Sequence, residues 1–285
     1  LKKYFCIFAT KILFNQQDCI VNKGGEYMKR VILSLMCVLC AGVFTLNAQE
    51  IPLQRTSDSD IQSRWRVALE IPLSKTLDLT ISEQLRTKNS FENLDKMLTS
   101  LTLDYSPWRH VGFEGEYVFV NVNESSDWKI KHRINLGVIG KLSVGRFNLS
   151  LRERVRFVVR SYPTYKYPTP DPFVTLLTRR KAYYSNKSRW KPYAYVELYT
   201  TLNAPAAVDN RLTDAVARDN YINRLRLCVG STMKINDHNS MDFYYMTHFN
   251  RSFSAKYDDA SGALNARSLK RVTAHVIGVD YKFKL

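Results

Sequence analysis

Arginine recurs at every second position in two stretches of the chain, Arg152, Arg154 and Arg156 in one and Arg224 and Arg226 in the other. Lys129, Lys131 and Arg133 make a third basic row at the same spacing. Such groups either hold anions, through charge and the forked donors of arginine, or pair with carboxylates. The carboxylates that could meet them are Asp104, Glu114, Glu116, Glu197 and Asp242. For reaction chemistry the best stretch is His248-Phe249-Asn250-Arg251-Ser252. A histidine there could serve as a base, given a nucleophile beside it and a third group to orient it. His248 is thus the catalytic candidate, against the plainer reading of an interior or rim histidine. His110, His132, His238 and His275 are scattered without metal-ligand spacing, and no phosphate loop or dinucleotide fingerprint occurs. Neither a metal nor a cofactor is expected.

A spacing of two is the period of a β-strand, and it governs nearly the whole chain from residue 60 onward. The final ten residues make the clearest case. Ile277, Val279, Tyr281, Phe283 and Leu285 share one face, with polar or small residues between them. Outside the first 48 residues no apolar run approaches the roughly 18 needed to span a bilayer as a helix. The chain is therefore expected to be all-β. Strands are predicted at 63–71, 76–86, 97–105, 110–121, 129–141, 145–158, 176–188, 192–202, 219–233, 239–251 and 269–284. Many reach the 9 to 11 residues or so that a tilted strand needs to cross a bilayer.

The connections predict the architecture. Short turns centred on 72–75, 107–108, 143–145, 189–190 and 236–238 alternate with longer polar segments at 87–96, 121–128, 159–175, 203–218 and 252–268. Outer-membrane barrels have this order, short turns on the periplasmic side and long loops outside. By parity the first predicted strand starts on the loop side, whereas an exported amino end starts on the other. Gln49 to Arg55 is the one segment that could cross first, although Pro52 would restrict its pairing. With it the barrel has 12 strands, an even number; the fallback is ten, with an amino segment in the lumen.

The amino end divides into three parts. Residues 1–27 read as upstream sequence from a start set too early. Residues 28–48 read as an export signal: Met28, the basic pair Lys29 and Arg30, an apolar run from Val31 to Phe44, and a small residue, Ala48, before the cut. Lipid attachment at Cys40 competes, but Cys37, Val38 and Leu39 lack the small residue wanted ahead of it. Residues 49–285 are the barrel. Cys228 is then the single cysteine, so no internal disulfide can form. The mature part keeps 36 basic and 24 acidic residues, a formal +12. No nucleic-acid-binding pattern accompanies this excess. Lipopolysaccharide phosphates, or anions in a lumen, are the expected counterparts.

Alternation assigns faces. Phe147, Leu149, Leu151, Val155 and Phe157 are expected toward lipid, with Asn148, Ser150, Arg152, Arg154 and Arg156 toward the lumen. Leu225, Leu227 and Val229 face out while Arg224, Arg226 and Cys228 face in. Glu153 falls on the lipid face, which predicts a bulge, an interfacial depth or a shifted register. Arg133, Arg152, Arg154, Arg156, Arg224, Arg226, Glu197 and Asp242 then form a charge ladder in the lumen. Two readings stand. The charges pair across a narrow barrel and fill it, or the basic excess makes a water-filled path that favours anions. The chain holds 17 Tyr, 14 Phe and 4 Trp. Trp65, Tyr105, Trp108, Trp128, Tyr183, Tyr184, Trp190 and Tyr193 fall near predicted strand ends, where aromatic girdles sit. Tyr162 to Pro172, rich in proline and tyrosine, reads as an extended outer loop.

The segments SLRERVRFVV, KPYAYVELY, NRLRLCVGSTMKI and HVIGVDYKFKL resemble the outer-membrane barrel family of Bacteroidota-type bacteria known as domain of unknown function 2490. The Asn-Ala-Gln signal cut is also similar to signals of that group. The resemblance covers most of residues 60–285 and implies fold and location. It carries over Arg152, Arg154, Arg224, Arg226 and Glu197 as family-like positions without assigned roles. The stretch at His248 is loosely similar to the His-Ser-Asn segment of outer-membrane phospholipase A, but the partner serine segment of that enzyme has no match here.

The expectation is a transmembrane antiparallel up-and-down β-barrel of about 12 strands, within a range of 10 to 12, in the bacterial outer membrane. It would be a monomer inserted by the barrel-assembly machinery, in contact with outer-membrane lipids and lipopolysaccharide and not with nucleic acid. The role expected is a narrow anion-preferring pore or a structural envelope protein. Alternatives are an acyl hydrolase acting on phospholipid or lipid A, and a binding or adhesion module working through its loops.

Overall fold

A computed structural model describes residues 53–124, 127–161, 172–203, 222–257 and 264–285. The leader, the signal at 28–48, the segment 162–171 and most of 203–218 lie outside the described residues. Eleven strands follow in order: β1 (Leu53–Pro72), β2 (Leu77–Lys88), β3 (Asn93–Tyr105), β4 (Val111–Glu124), β5 (Asp127–Val144), β6 (Phe147–Arg160), β7 (Phe173–Tyr184), β8 (Trp190–Thr201), β9 (Ile222–Lys234), β10 (Asn239–Tyr257) and β11 (Leu264–Lys284). Among the described residues there is no helix. Each strand pairs antiparallel with the next, and β11 closes the barrel on β1.

That closing seam is parallel, running from Leu53 opposite Arg267 to Glu70 opposite Lys284. An odd number of strands requires it, since the first and last then run the same way. The count lies inside the expected range, but the even number and the separate crossing at 49–55 are corrected. Leu53 to Arg55 instead open β1, a 20-residue strand. Its polar first half pairs only with β11, because β2 joins β1 no earlier than Arg64. Backbone hydrogen bonds need no apolar side chain, so the segment SDSDIQ forms strand without the period-two signal. β10, β11 and the start of β1 thus extend beyond the level at which β2 stops.

Connections at one rim span 73–76, 106–110, 145–146, 185–189 and 235–238. Gly145, at φ +58, supplies the left-handed residue that a two-residue turn needs. At the opposite rim three connections expected to be long are not, and of the expected 252–268 only 258–263, outside the described residues, separates β10 from β11. Residues 89–92 form a tight turn in which Asn89, Ser90 and Phe91 all adopt positive φ, and only 125–126 separate β4 from β5. The polar residues around them are strand. The long connections at this rim are 161–172 and 202–221. It is called the loop rim below, and the other the turn rim.

Side chains alternate across the wall. Outward positions carry large apolar groups on strand after strand, including Ile81, Leu101, Leu136, Val196, Val229 and Ile277, all exposed. Inward positions are packed. Every strand contributes at least one inward residue less than a tenth exposed, from Ala68 on β1 to Val276 on β11. Two apolar clusters lie among them, Leu98 with Val118, Val120 and Val122, and Tyr193 with Cys228, Met246 and Val276. The second depends on close approach. Tyr244 lies directly across from Gly278, and a Cβ at 278 would stand 2.0 Å from the tyrosine ring.

The charged interior as candidate functional site

The strand register builds the site. Arg152, Arg179, Glu197, Arg226 and His248 are successive cross-strand neighbours over β6 to β10, so one row carries a single carboxylate between arginines. Glu197 has no exposed surface. Its Oε1 accepts from Arg152 Nη2 at 3.2 Å and from Arg179 Nε at 2.8 Å. Its Oε2 accepts from Arg226 Nη1 at 2.9 Å and from the Tyr199 hydroxyl at 3.0 Å. Four donors on two oxygens satisfy a buried carboxylate, the condition under which burying it is tolerable.

One row nearer the other side of the barrel, Arg154 Nε donates to Glu114 Oε1 at 2.6 Å and Nη1 to Glu116 Oε2 at 2.7 Å. Arg152 also approaches Glu114 at 3.6 Å, which joins the two groups. The strand between β4 and β6 presents Gly137 at that level, and a Cβ there would lie 2.6 Å from Glu114 Oε1. Glycine opens the lane by which the glutamate reaches the arginine. Glu116 further accepts from Asn135 Nδ2 at 2.8 Å, and Asn135 Oδ1 accepts from Arg156 Nε at 2.8 Å. Arginines and glutamates in this part are nearly matched.

Toward the loop rim the balance fails. Arg156, Arg224 and Arg226 surround the single ring of Tyr199, their guanidinium carbons 5.8, 5.1 and 4.5 Å from its centroid. Arg224 donates to Asn250 Oδ1 at 2.5 Å, Arg86 to Gln84 Oε1 at 2.7 Å through Nε, and Arg64 to His248 at 3.3 Å. Arg64 and Arg86 are direct cross-strand neighbours, a like-charge pairing that destabilises a sheet. Among the described residues, no carboxylate reaches Arg64, Arg86, Arg133, Arg156 or Arg224.

The ladder residues Arg133, Arg152, Arg154, Arg156, Arg224, Arg226 and Glu197 all lie on inward positions. Asp242 also points inward but sits apart, near the turn rim, accepting from the Tyr193 hydroxyl at 2.7 Å and Thr232 Oγ1 at 3.1 Å. His248 is buried, with Nε2 toward Arg64 and 2.8 Å from Met246 Sδ. Arginine can only donate, so this nitrogen accepts and the imidazole is neutral. Its lone pair is occupied by a guanidinium. Among the described residues neither a serine hydroxyl nor a carboxylate bonds to it.

Glu153 keeps its outward register without a bulge. Its Oε2 accepts from the hydroxyl of Thr178, its cross-strand neighbour, at 2.6 Å. The girdle assignment is corrected at two places. Tyr183 and Tyr193 face the interior, their rings 5.7 Å apart, with Lys181 Nζ 3.5 Å from the Tyr193 centroid. Trp65, Tyr105, Trp108, Trp128 and Trp190 are exposed on the outside.

Sequence reading passed over Arg64, Arg66, Arg86, Arg179 and Tyr199. Arg64 and Arg66 alternate with Trp65 and Val67, the same signal that placed Arg152 and Arg154. Arg179 is followed by Arg180, which hides its parity. Tyr199 was missed because a tyrosine holding arginines looks the same in sequence as one at a membrane interface.

Fold and interior together define a class: a closed all-β barrel of mostly antiparallel strands whose inward face carries a network of arginine, glutamate and tyrosine. The family model for a protein of unknown function, DUF2490, matches residues 61–259, and the chain belongs to that family. The match takes in nine whole strands, β2 to β10, and most of β1. No curated protein is significantly similar to the chain.

Proposed function

We propose that the protein is a monomeric barrel of the bacterial outer membrane, exported through the cleaved signal at 28–48, and that it serves there as a non-conducting envelope component. The observation that carries this reading is the inverted distribution of polarity. Leu136, Val229 and Ile277 are more than half exposed on the outside, while Glu197 inside is fully buried. A barrel surrounded by water would gain by the opposite arrangement, since a broad exposed apolar belt is costly there. In lipid the belt is at rest, and closure leaves the backbone without an unpaired edge. Strands of 12 to 21 residues exceed the 9 to 11 or so that the hydrocarbon layer requires. The exposed Trp108 and Trp190 at the turn rim, and Trp128 toward the loop rim, suit the two interfaces.

The non-conducting part rests on packing. Inward residues are tightly packed on five strands around the wall: Val120, Asn135, Leu177, Glu197 and Val276 are each at most 1% exposed. An anion-preferring pore remains a second reading, favoured by the basic excess near the loop rim, but it requires the Glu197 bridges to open. The geometry at His248 lends the acyl-hydrolase reading no support. The partners of this reading are membrane lipid and lipopolysaccharide around the wall and the assembly machinery during insertion.

Fractionation of the host cell tests the location. The mature chain should appear in the outer-membrane fraction and migrate faster on gels before boiling than after. Recovery as a soluble periplasmic or cytoplasmic protein would overturn the reading.

A further inference from the structure

We propose that the arginine-rich interior near the loop rim is a binding site for a phosphoryl oxyanion, either inorganic phosphate or the phosphate of a lipid headgroup. Six guanidinium groups meet there, those of Arg64, Arg86, Arg133, Arg156, Arg224 and Arg226. Among the described residues only Arg226 touches a carboxylate, and it shares Glu197 with Arg152 and Arg179. The other acceptors are neutral: the amide oxygens of Gln84, Asn135 and Asn250, and an imidazole nitrogen of His248. None of the described residues accepts a hydrogen bond from Arg133.

Neutral acceptors orient guanidinium groups without neutralising them. Like charges held this close inside a barrel call for a counter-ion, and deprotonation is not a way out for arginine. Two groups carry the argument further. Arg64 and Arg226 are 7% and 8% exposed, and the Nε–H of each is buried with no acceptor. A buried donor without a partner is costly unless something occupies its acceptor position. Several forked donors converging from different strands suit a tetrahedral oxyanion better than chloride, because each phosphate oxygen can accept two bonds. Tyr199 fixes three of the forks by offering its face to them, and His248, neutral, holds Arg64 without cancelling its charge. This assigns His248 a role as a positioning residue.

The test uses the refolded mature chain in a zwitterionic detergent free of phosphate. Its thermal unfolding midpoint is followed against inorganic phosphate and, at matched ionic strength, against sodium chloride. A ligand that binds the folded form alone raises the midpoint saturably. Phosphate is expected to do so and chloride to do much less. Arg133→Met, which loses no bond to any described residue and should fold, is expected to weaken phosphate binding at least tenfold. Arg146→Gln, at the turn rim, should leave it unchanged. The source is distinguished by reconstitution in phosphatidylcholine vesicles with and without lipid A. Stabilisation by lipid A in the absence of free phosphate assigns a headgroup; stabilisation by free phosphate alone assigns a soluble ion. Equal response to phosphate and chloride, or an undiminished phosphate response in Arg133→Met, overturns the proposal. The barrel can fail this test and still be an outer-membrane protein, so the two readings fall separately.

Discussion

The two halves of the barrel interior use the same cation and treat it differently. Around Glu197, Glu114 and Glu116, each arginine finds a carboxylate within 3.2 Å. Toward the loop rim Arg64, Arg86, Arg156 and Arg224 are met by amides and an imidazole instead. The matched half resembles a salt-bridged core, where charges persist because partners satisfy them. The unmatched half stores repulsion. A charged residue inside a barrel therefore says little about function until its partners are counted, and here the count separates a part that holds the wall together from a part arranged to receive something.

Removing one charge from each half breaks the comparison most directly. Glu197→Ala deletes the acceptor of three arginines and should cost about 3–5 kcal/mol, the usual penalty for stranding buried charge. A lower urea midpoint for the refolded barrel in micelles would record it. A smaller effect is expected from Gly137→Val, which keeps all charges but fills the lane through which Glu114 reaches Arg154. Overpacking of this kind costs roughly 1–3 kcal/mol, and the loss should largely vanish in an Arg154→Met background. Outside the lumen, Thr178→Val removes the hydroxyl bound to Glu153 and should cost about 1 kcal/mol, the worth of an ordinary hydrogen bond. Arg133→Met is expected to run the other way. Without phosphate it should leave stability unchanged or raise it by up to about 1 kcal/mol at low salt, with the gain shrinking as salt screens the repulsion. Destabilisation of 2 kcal/mol or so would mean that Arg133 has an anionic partner and that the halves do not differ.

Much of this arrangement was legible in the chain because the strand period is two. Phe147 to Phe157 alternates so cleanly that Arg152, Arg154 and Arg156 could be set on one face before any coordinates, and the acids that meet Arg152 and Arg154 were among the few available. Legibility failed wherever no apolar face marked the strand. Gln54 to Asp60 is polar on both sides and pairs on one edge alone, so nothing in its pattern distinguished it from a loop, and the expected even count with a separate crossing at 49–55 followed from that oversight. Partner choice was equally hidden. Whether an arginine meets glutamate or asparagine depends on register across three or four strands, and a slip of one residue reverses every assignment. The role of Gly137 belongs to the same class, since a missing side chain shows its purpose only when its cross-strand neighbour is known.

The claim at the centre of this account is that the Glu197 level closes the lumen. Conductance of the refolded mature chain in planar bilayers tests it, with the reversal potential read under a salt gradient. The account predicts a folded, heat-modifiable barrel that inserts and stays silent, and in which Glu197→Ala, if it folds, admits anion-selective current. Steady anion-selective steps from the unaltered chain, reduced by Arg226→Glu, would contradict it and make the arginines the lining of an open path.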